Sequence, residues 1–275
     1  MKKSIILVFL IFMLSCTGSQ PVDAPHPRIV VLSPELAEII CVLGAEEHIT
    51  GIVLECDYPN ELHEKNSVGS FSSPSIEKIA ALEPDAVLCT GMEQEILSHQ
   101  LDKLGMEVFR FFPSSLTSLY ETIVSVGELL HHNQEADSLV QYMQQKIEEI
   151  PKLTIKPSVY IEIYNKPLMS ASSGSFVGDL LRATGLENIF PELPREYCAV
   201  SSENIVKLDP DIIIITYPNA TKKDITSRLG WQTISAVKTN NIYTTEDIDP
   251  DLLLRAGPRV VQGIQKLSEL SKQNE

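Results

Sequence analysis

Three groups of residues in this 275-residue chain have types and spacings that suggest chemistry. Cys16 closes the run Met13-Leu14-Ser15-Cys16 behind Lys2, Lys3 and an apolar stretch from Ile5 to Leu14. A charged start, a short apolar segment and small residues form an export signal. A cysteine at its end suits lipid attachment, as in a bacterial lipoprotein, though Ser15 stands where Gly or Ala is usual. Glu77 and Glu203 each follow a serine by two places, in Ser75-Ile76-Glu77 and Ser201-Ser202-Glu203. Their carboxylates can serve a helix start or bind a cationic partner. The six histidines, His26, His48, His63, His99, His131 and His132, all precede residue 133. Past His26 they sit in polar, surface-like contexts, and none falls in the later half of the chain, so a zinc or manganese site is not expected. Nothing resembles a nucleophile elbow, a phosphate-cradling loop or a dinucleotide fingerprint. Ser172-Ser173-Gly174-Ser175 could hold an anion before a helix or simply cap it. An enzyme is left as a rival without a motif.

The elements that must position these residues repeat. Residues 75–88 and 201–214 share Ser, Glu, Ile, Leu, Pro and Asp at matching places, with Glu83 answered by Asp209. Each copy reads as a short helix stopped by Pro84 or Pro210, followed by a buried strand. Two such units far apart imply two lobes of similar α/β design with mainly parallel, Rossmann-like sheets. Strands are predicted at 28–32, 49–54, 158–163 and 241–244, and helices from Ser33-Pro34 to Gly44, over 176–184 and after Pro258. Between the lobes, residues 116–150 keep a helical apolar period without a proline. This predicts one long linking helix, with Gly127 and His131-His132-Asn133 as the place where it could bend or break. The expected organisation is signal peptide 1–15, tether 16–27, N-terminal lobe 28–114, linking helix 115–150 and C-terminal lobe 151–275.

The formal charge of −15 becomes −17 when Lys2 and Lys3 leave with the signal. Such acidity argues against nucleic-acid partners. Of the other cysteines, Cys41 and Cys89 read as core, while Cys56 and Cys198 stay open as disulfide candidates.

Five stretches in order, with the duplicated unit, resemble the helical-backbone class of ABC-transporter solute-binding proteins for vitamin B12, haem and ferric siderophores. They are Arg28 to Pro34, Cys56-Asp57-Tyr58-Pro59, Gly185 to Phe190, Gly230-Trp231-Gln232 and Arg255-Ala256-Gly257-Pro258-Arg259. The likeness is greatest to the vitamin B12 receptors. It implies no catalysis, a monomer outside the cytoplasm, held to a membrane through Cys16, and Glu77 and Glu203 docking onto an ABC permease dimer. It places Tyr58, Phe71 and Tyr197 as aromatic ligand contacts, with the Lys166-Pro167-Leu168-Met169-Ser170 loop and the 247–251 loop completing the rim and Ser170 and Arg255 as further ligand contacts; Trp231 reads as core. The expected ligand is a cobalt corrinoid, with an iron chelate as the alternative: haem would need an axial Tyr58, Tyr197, Met92 or Met169, and a siderophore would need Lys166 and Arg255. No resident cofactor is implied. A surface binding protein on the same scaffold is the third reading.

Overall fold

The computed structural model describes residues 27–91, 94–151 and 156–272. Cys16, most of the tether and Met92 lie outside them. In the N-terminal lobe, β1 (Ile29–Val31), β2 (Ile49–Ile52), β3 (Asn66–Ser67), β6 (Ala86–Thr90) and β7 (Val108–Phe111) form one sheet, in the order β3-β2-β1-β6-β7. All its pairings are parallel, and β1 and β6 are buried throughout, as strands covered on both faces must be. Around the sheet lie α1 (Pro34–Val42), the small hairpin β4 (Gly69–Ser70) and β5 (Ser73–Pro74), α2 (Ile76–Ala81) and α3 (Glu95–Lys103).

The C-terminal lobe repeats the design. Its parallel sheet joins β8 (Ser158–Glu162), β11 (Glu187–Asn188), β13 (Ile212–Ile215) and β14 (Ile242–Tyr243) in the order β11-β8-β13-β14. A second, antiparallel sheet holds β9 (Tyr164–Asn165), β10 (Leu168–Ala171) and β12 (Tyr197–Ala199). The helices are α6 (Phe176–Thr184), α7 (Ser202–Leu208), α8 (Lys222–Thr226), α9 (Ser235–Lys238), α10 (Asp251–Leu254) and α11 (Val260–Lys272).

The duplicated unit has a physical explanation. Ser75 and Ser201 cap α2 and α7, accepting from the amides of Lys78 and Asn204. A proline disfavours helix in the residue before it, and Glu83 and Asp209 both take left-handed backbone, with φ of 45° and 46°. The aspartate after each proline then anchors the neighbouring strand: Asp85 accepts the amide of Arg28 at 2.7 Å, and Asp211 that of Ser158 at 2.9 Å.

The linking segment corrects the sequence reading. It is not one helix but two, α4 (Leu116–Leu130) and α5 (Asn133–Glu148). The break falls where His131 turns left-handed, with φ of 61°. Gly127 lets α5 approach, since a Cβ there would stand 2.5 Å from the Cβ of Ala136. α4 bridges the lobes: it touches α1 of the first and α6 of the second, while α5 packs on α4 and α11. Its first turn is also held by the second lobe, because the Leu116 amide donates to Asp179 at 2.7 Å. One apolar core runs from Val30 and Leu36 through Leu119 and Ile123 to Leu181 and Ile214. Lobes that share a core are held at a nearly fixed separation. A second cluster on the far face of the C-terminal sheet surrounds Trp231, which is fully buried and donates from its indole to Ser202 at 2.7 Å. Trp231 is core, as expected.

The four described cysteines are free thiols. Burial pushes Cys41 and Cys89 up to about 11 and Cys56 up to about 12, so all three stay protonated at neutral pH. Cys41 is half-buried at the edge of the core rather than inside it.

Candidate ligand cleft

Parallel sheets leave a crevice at the carboxyl ends of their strands, and in the first lobe Thr90 at the end of β6 and Phe112 just after β7 face a cleft of about 1030 Å³ shared with the second lobe. The first lobe contributes Glu35, Phe71, Thr90, Gly91 and Phe112 to its wall; the second contributes Phe176, Arg195, Glu196 and Tyr197. Phe71 sits at the turn between β4 and β5. Its amide donates to Glu55 at 2.7 Å and its carbonyl accepts from Gln94 at 3.1 Å. Tyr197 opens β12, opposite Ala171 of β10. Burial first, then the charge of Glu196, pushes its phenol up to about 12.

Two cleft-side residues escaped the sequence reading. Glu35 is in the first turn of α1 and looks like an ordinary helix-start acid. In the fold its carboxyl is crowded by protein, and burial raises its pKa against the pull of its backbone hydrogen bond, Ser33, Thr90 and the charge of Arg255. Gln94 is buried at 1% exposure. Its amide donates to the carbonyls of Leu32 and Phe71 and accepts from the Thr90 amide, tying β1, β6 and the Phe71 turn together. A single glutamine between a strand and a helix carried no sequence signal.

Three expected contacts lie elsewhere. Ser170 is fully buried in β10 and donates to the Ile161 carbonyl at 2.8 Å; it braces the strand beside Tyr197. Tyr58 is 44% exposed, with the Arg259 guanidinium 4.2 Å over its ring, a cation–π contact. Arg255 pairs with Asp57 at 2.7 Å and Asp251 at 3.1 Å. Tyr58 and Arg255 belong to a seam where the 255–259 loop meets α1, next to the cleft-lining Leu254 and Ala256. The 247–251 loop joins that seam through Asp249, 3.7 Å from Arg259. Ser172 to Ser175 form a cap: Ser175 accepts from the Gly178 amide at 3.1 Å.

Glu77 and Glu203 are both exposed. Each stands in the first turn of a short helix that leads into a strand of its lobe's parallel sheet. Its own backbone amide, then Ser75 at 2.9 Å, holds Glu77 below the usual carboxylate range.

Residues 29–248 match the periplasmic binding protein family. The chain belongs to that family. An ABC transporter substrate-binding lipoprotein of Bacillus subtilis is 30% identical over 253 residues, 88% of this chain and 79% of that one. A vitamin B12-binding protein of Pectobacterium atrosepticum is 24% identical, covering 95% of this chain and 93% of its own. A high-affinity haem uptake protein of Staphylococcus aureus is 26% identical over 69% of each chain. Among solved structures, a possible iron-binding, periplasmic solute-binding protein of Staphylococcus epidermidis superposes with a TM-score of 0.79. It is 28% identical and covers 90% of this chain and 99% of that one. At the family level, therefore, this is a substrate-binding protein of α/β two-lobed design rather than an enzyme.

Proposed function

We propose that this substrate-binding protein is the extracytoplasmic, Cys16-anchored receptor of an ABC importer and that its cleft carries a cobalamin-type corrinoid. The observation that carries the ligand reading is the composition of the cleft. About 1030 Å³ exceeds what a bare ion or a small metabolite needs. Its walls pair Phe71, Phe112 and Phe176 with Tyr197, faces on which a flat macrocycle packs. Its charged groups are Glu35, Arg195 and Glu196, which suits a ligand with a neutral amide periphery better than an anionic ferric siderophore.

Haem is the second reading, and one residue favours it: Tyr197 is a lining side chain able to ligate iron. Iron binds the phenolate, and the Tyr197 phenol, raised by burial to about 12, gives up its proton only to a coordinating metal ion. A corrinoid brings its own axial ligands and asks only for the ring face. The visible spectrum of protein purified from its native cells tests the choice. Corrinoid absorption supports the reading; a haem Soret band overturns it in favour of the iron chelate.

The 30% identical relative named as a lipoprotein supports anchoring at Cys16 after removal of residues 1–15. Glu77 and Glu203 are then the contacts for a permease dimer. Exposed carboxylates of this kind steer and orient a partner more than they bind it. Labelling with a radioactive fatty acid checks the anchor, and an unlabelled Cys16→Ala control assigns the position.

A further inference from the structure

The N-terminal lobe carries a second grouping of chemically capable residues, at the end of its sheet away from the cleft. His48 closes a single 3-10 turn, Glu46–His48, immediately before β2. It therefore stands at the amino ends of the strands, whereas the cleft-lining Thr90 ends β6 and Phe112 follows β7 at their carboxyl ends. His132 lies in the turn between α4 and α5. The 15 residues of α4, starting near the cleft at Ser115, carry the chain about 22 Å from it at 1.5 Å per residue.

There the two imidazoles meet edge to face, centroids 6.1 Å apart. Glu47 Oε1 is 3.8 Å from His48 Nε2. One ligand atom from each of Glu47, His48 and His132 lies within 4.8 Å of the other two, and among the described residues no other His, Cys or carboxylate grouping meets this test. The arrangement is supported from behind. His48 is 3% exposed, and its Nδ1 is 3.2 Å from the Pro27 carbonyl oxygen. A carbonyl only accepts, so Nδ1 donates to it and Nε2 is turned to the Glu47 side; histidine ligands are commonly oriented in this way. Glu135 stands 3.8 Å from Nδ1 of His132, beside the three-residue grouping and outside it. The preceding His131 holds a left-handed backbone, φ 61°, uncommon for a residue with a side chain.

We propose that Glu47, His48 and His132 bind a divalent transition-metal ion, zinc foremost, which pins the α4–α5 turn to the N-terminal lobe. Two imidazoles and one carboxylate suit zinc and its neighbours, not calcium or magnesium, which take oxygen ligands. With zinc–ligand bonds of about 2.0–2.1 Å, tetrahedral ligand atoms sit roughly 3.4 Å apart. Loading therefore draws the cluster in by about 1 Å, a movement the exposed Glu47 and part-exposed His132 make toward the buried His48. Water completes the shell. Placed at the opposite end of the sheet from the cleft, the ion is a fastener and not the transported ligand.

Calorimetric titration of tag-free, chelator-stripped protein with zinc chloride tests this. We expect one site per chain, a higher melting temperature on loading, and at least a tenfold loss of affinity in both His132→Ala and the exposed-site variant Glu47→Gln. His99→Ala serves as control, since His99 faces Glu95 and Asp102 on α3; it should bind as the wild type does. Unchanged binding in His132→Ala, loss of the site in His99→Ala, or no saturable binding at all overturns the proposal.

Discussion

Arg259 crosses the boundary between the lobes to close two hydrogen bonds on Glu38, at 2.8 and 2.6 Å. Both partners are largely buried, with side-chain exposures of 14% and 2%. Removing one member of such a pair leaves an uncompensated buried charge and costs about 3–5 kcal/mol. Arg259→Ala should therefore lower the melting temperature by roughly 6–12 °C for about 3 kcal/mol in a domain of this size. Arg255, 3.8 Å from the same carboxylate, keeps the loss at the lower end. The double variant Glu38→Leu/Arg259→Met should recover most of it; equal instability in the double variant would show that charge is not the cause.

Glu35 makes a pH prediction. Its pKa is raised from an ordinary 4.5, chiefly by burial. A carboxyl whose folded pKa exceeds its unfolded value contributes fully below the unfolded value, and that contribution is lost as pH rises through the folded one. Glu35→Gln, which mimics the neutral acid, should thus melt higher than wild type at neutral pH. The gap should close toward about pH 4. A gap that is constant with pH, or wild type melting higher at neutral pH, contradicts the assignment.

Charge reversal separates docking from binding. Glu77→Arg with Glu203→Arg should abolish uptake into cells while leaving ligand affinity within about twofold, because both residues stand outside the cleft and exposed charges act on encounter. Transport assays beside equilibrium titrations decide it. Intact uptake, or affinity falling in step with uptake, removes the docking role.

Tyr197 tests how the cleft holds its ligand. If the ring face does the work, Tyr197→Phe should bind within about threefold of wild type, and Tyr197→Ala should lose about 10–100-fold, the range for truncating a buried aromatic anchor. A phenolate–iron bond would reverse the pattern, with Phe as damaging as Ala. Titration of both variants distinguishes the two.

The fold was largely legible because burial and proline left strong marks. The expected helix over 176–184 is α6, and the strands before Ser33 and after Pro157 are β1 and β8. The duplicated unit was readable because one physical need occurs twice: a serine cap, a proline stop and an aspartate for the next strand's amide. The break at His131 was only hinted at, since the apolar period continues on both sides and a left-handed histidine leaves little trace in composition. Phe71 and Tyr197 do reach the cleft wall, while Tyr58 and Arg255 went to the seam. Alternation along a strand says which face a residue takes, but not which neighbour claims it, and Arg259 and Asp57 come from distant parts of the chain. Glu35 was hidden by its place in a first turn, where acids are common for reasons unrelated to ligands.

The most direct test of the cleft reading is a pair of calorimetric titrations of the purified protein, one with cyanocobalamin and one with haemin. The account predicts one cyanocobalamin per chain at about micromolar affinity or tighter, a free energy of roughly −8 kcal/mol or better, and much weaker binding of haemin. Haemin binding at that strength with no response to cyanocobalamin, or silence toward both, would contradict it.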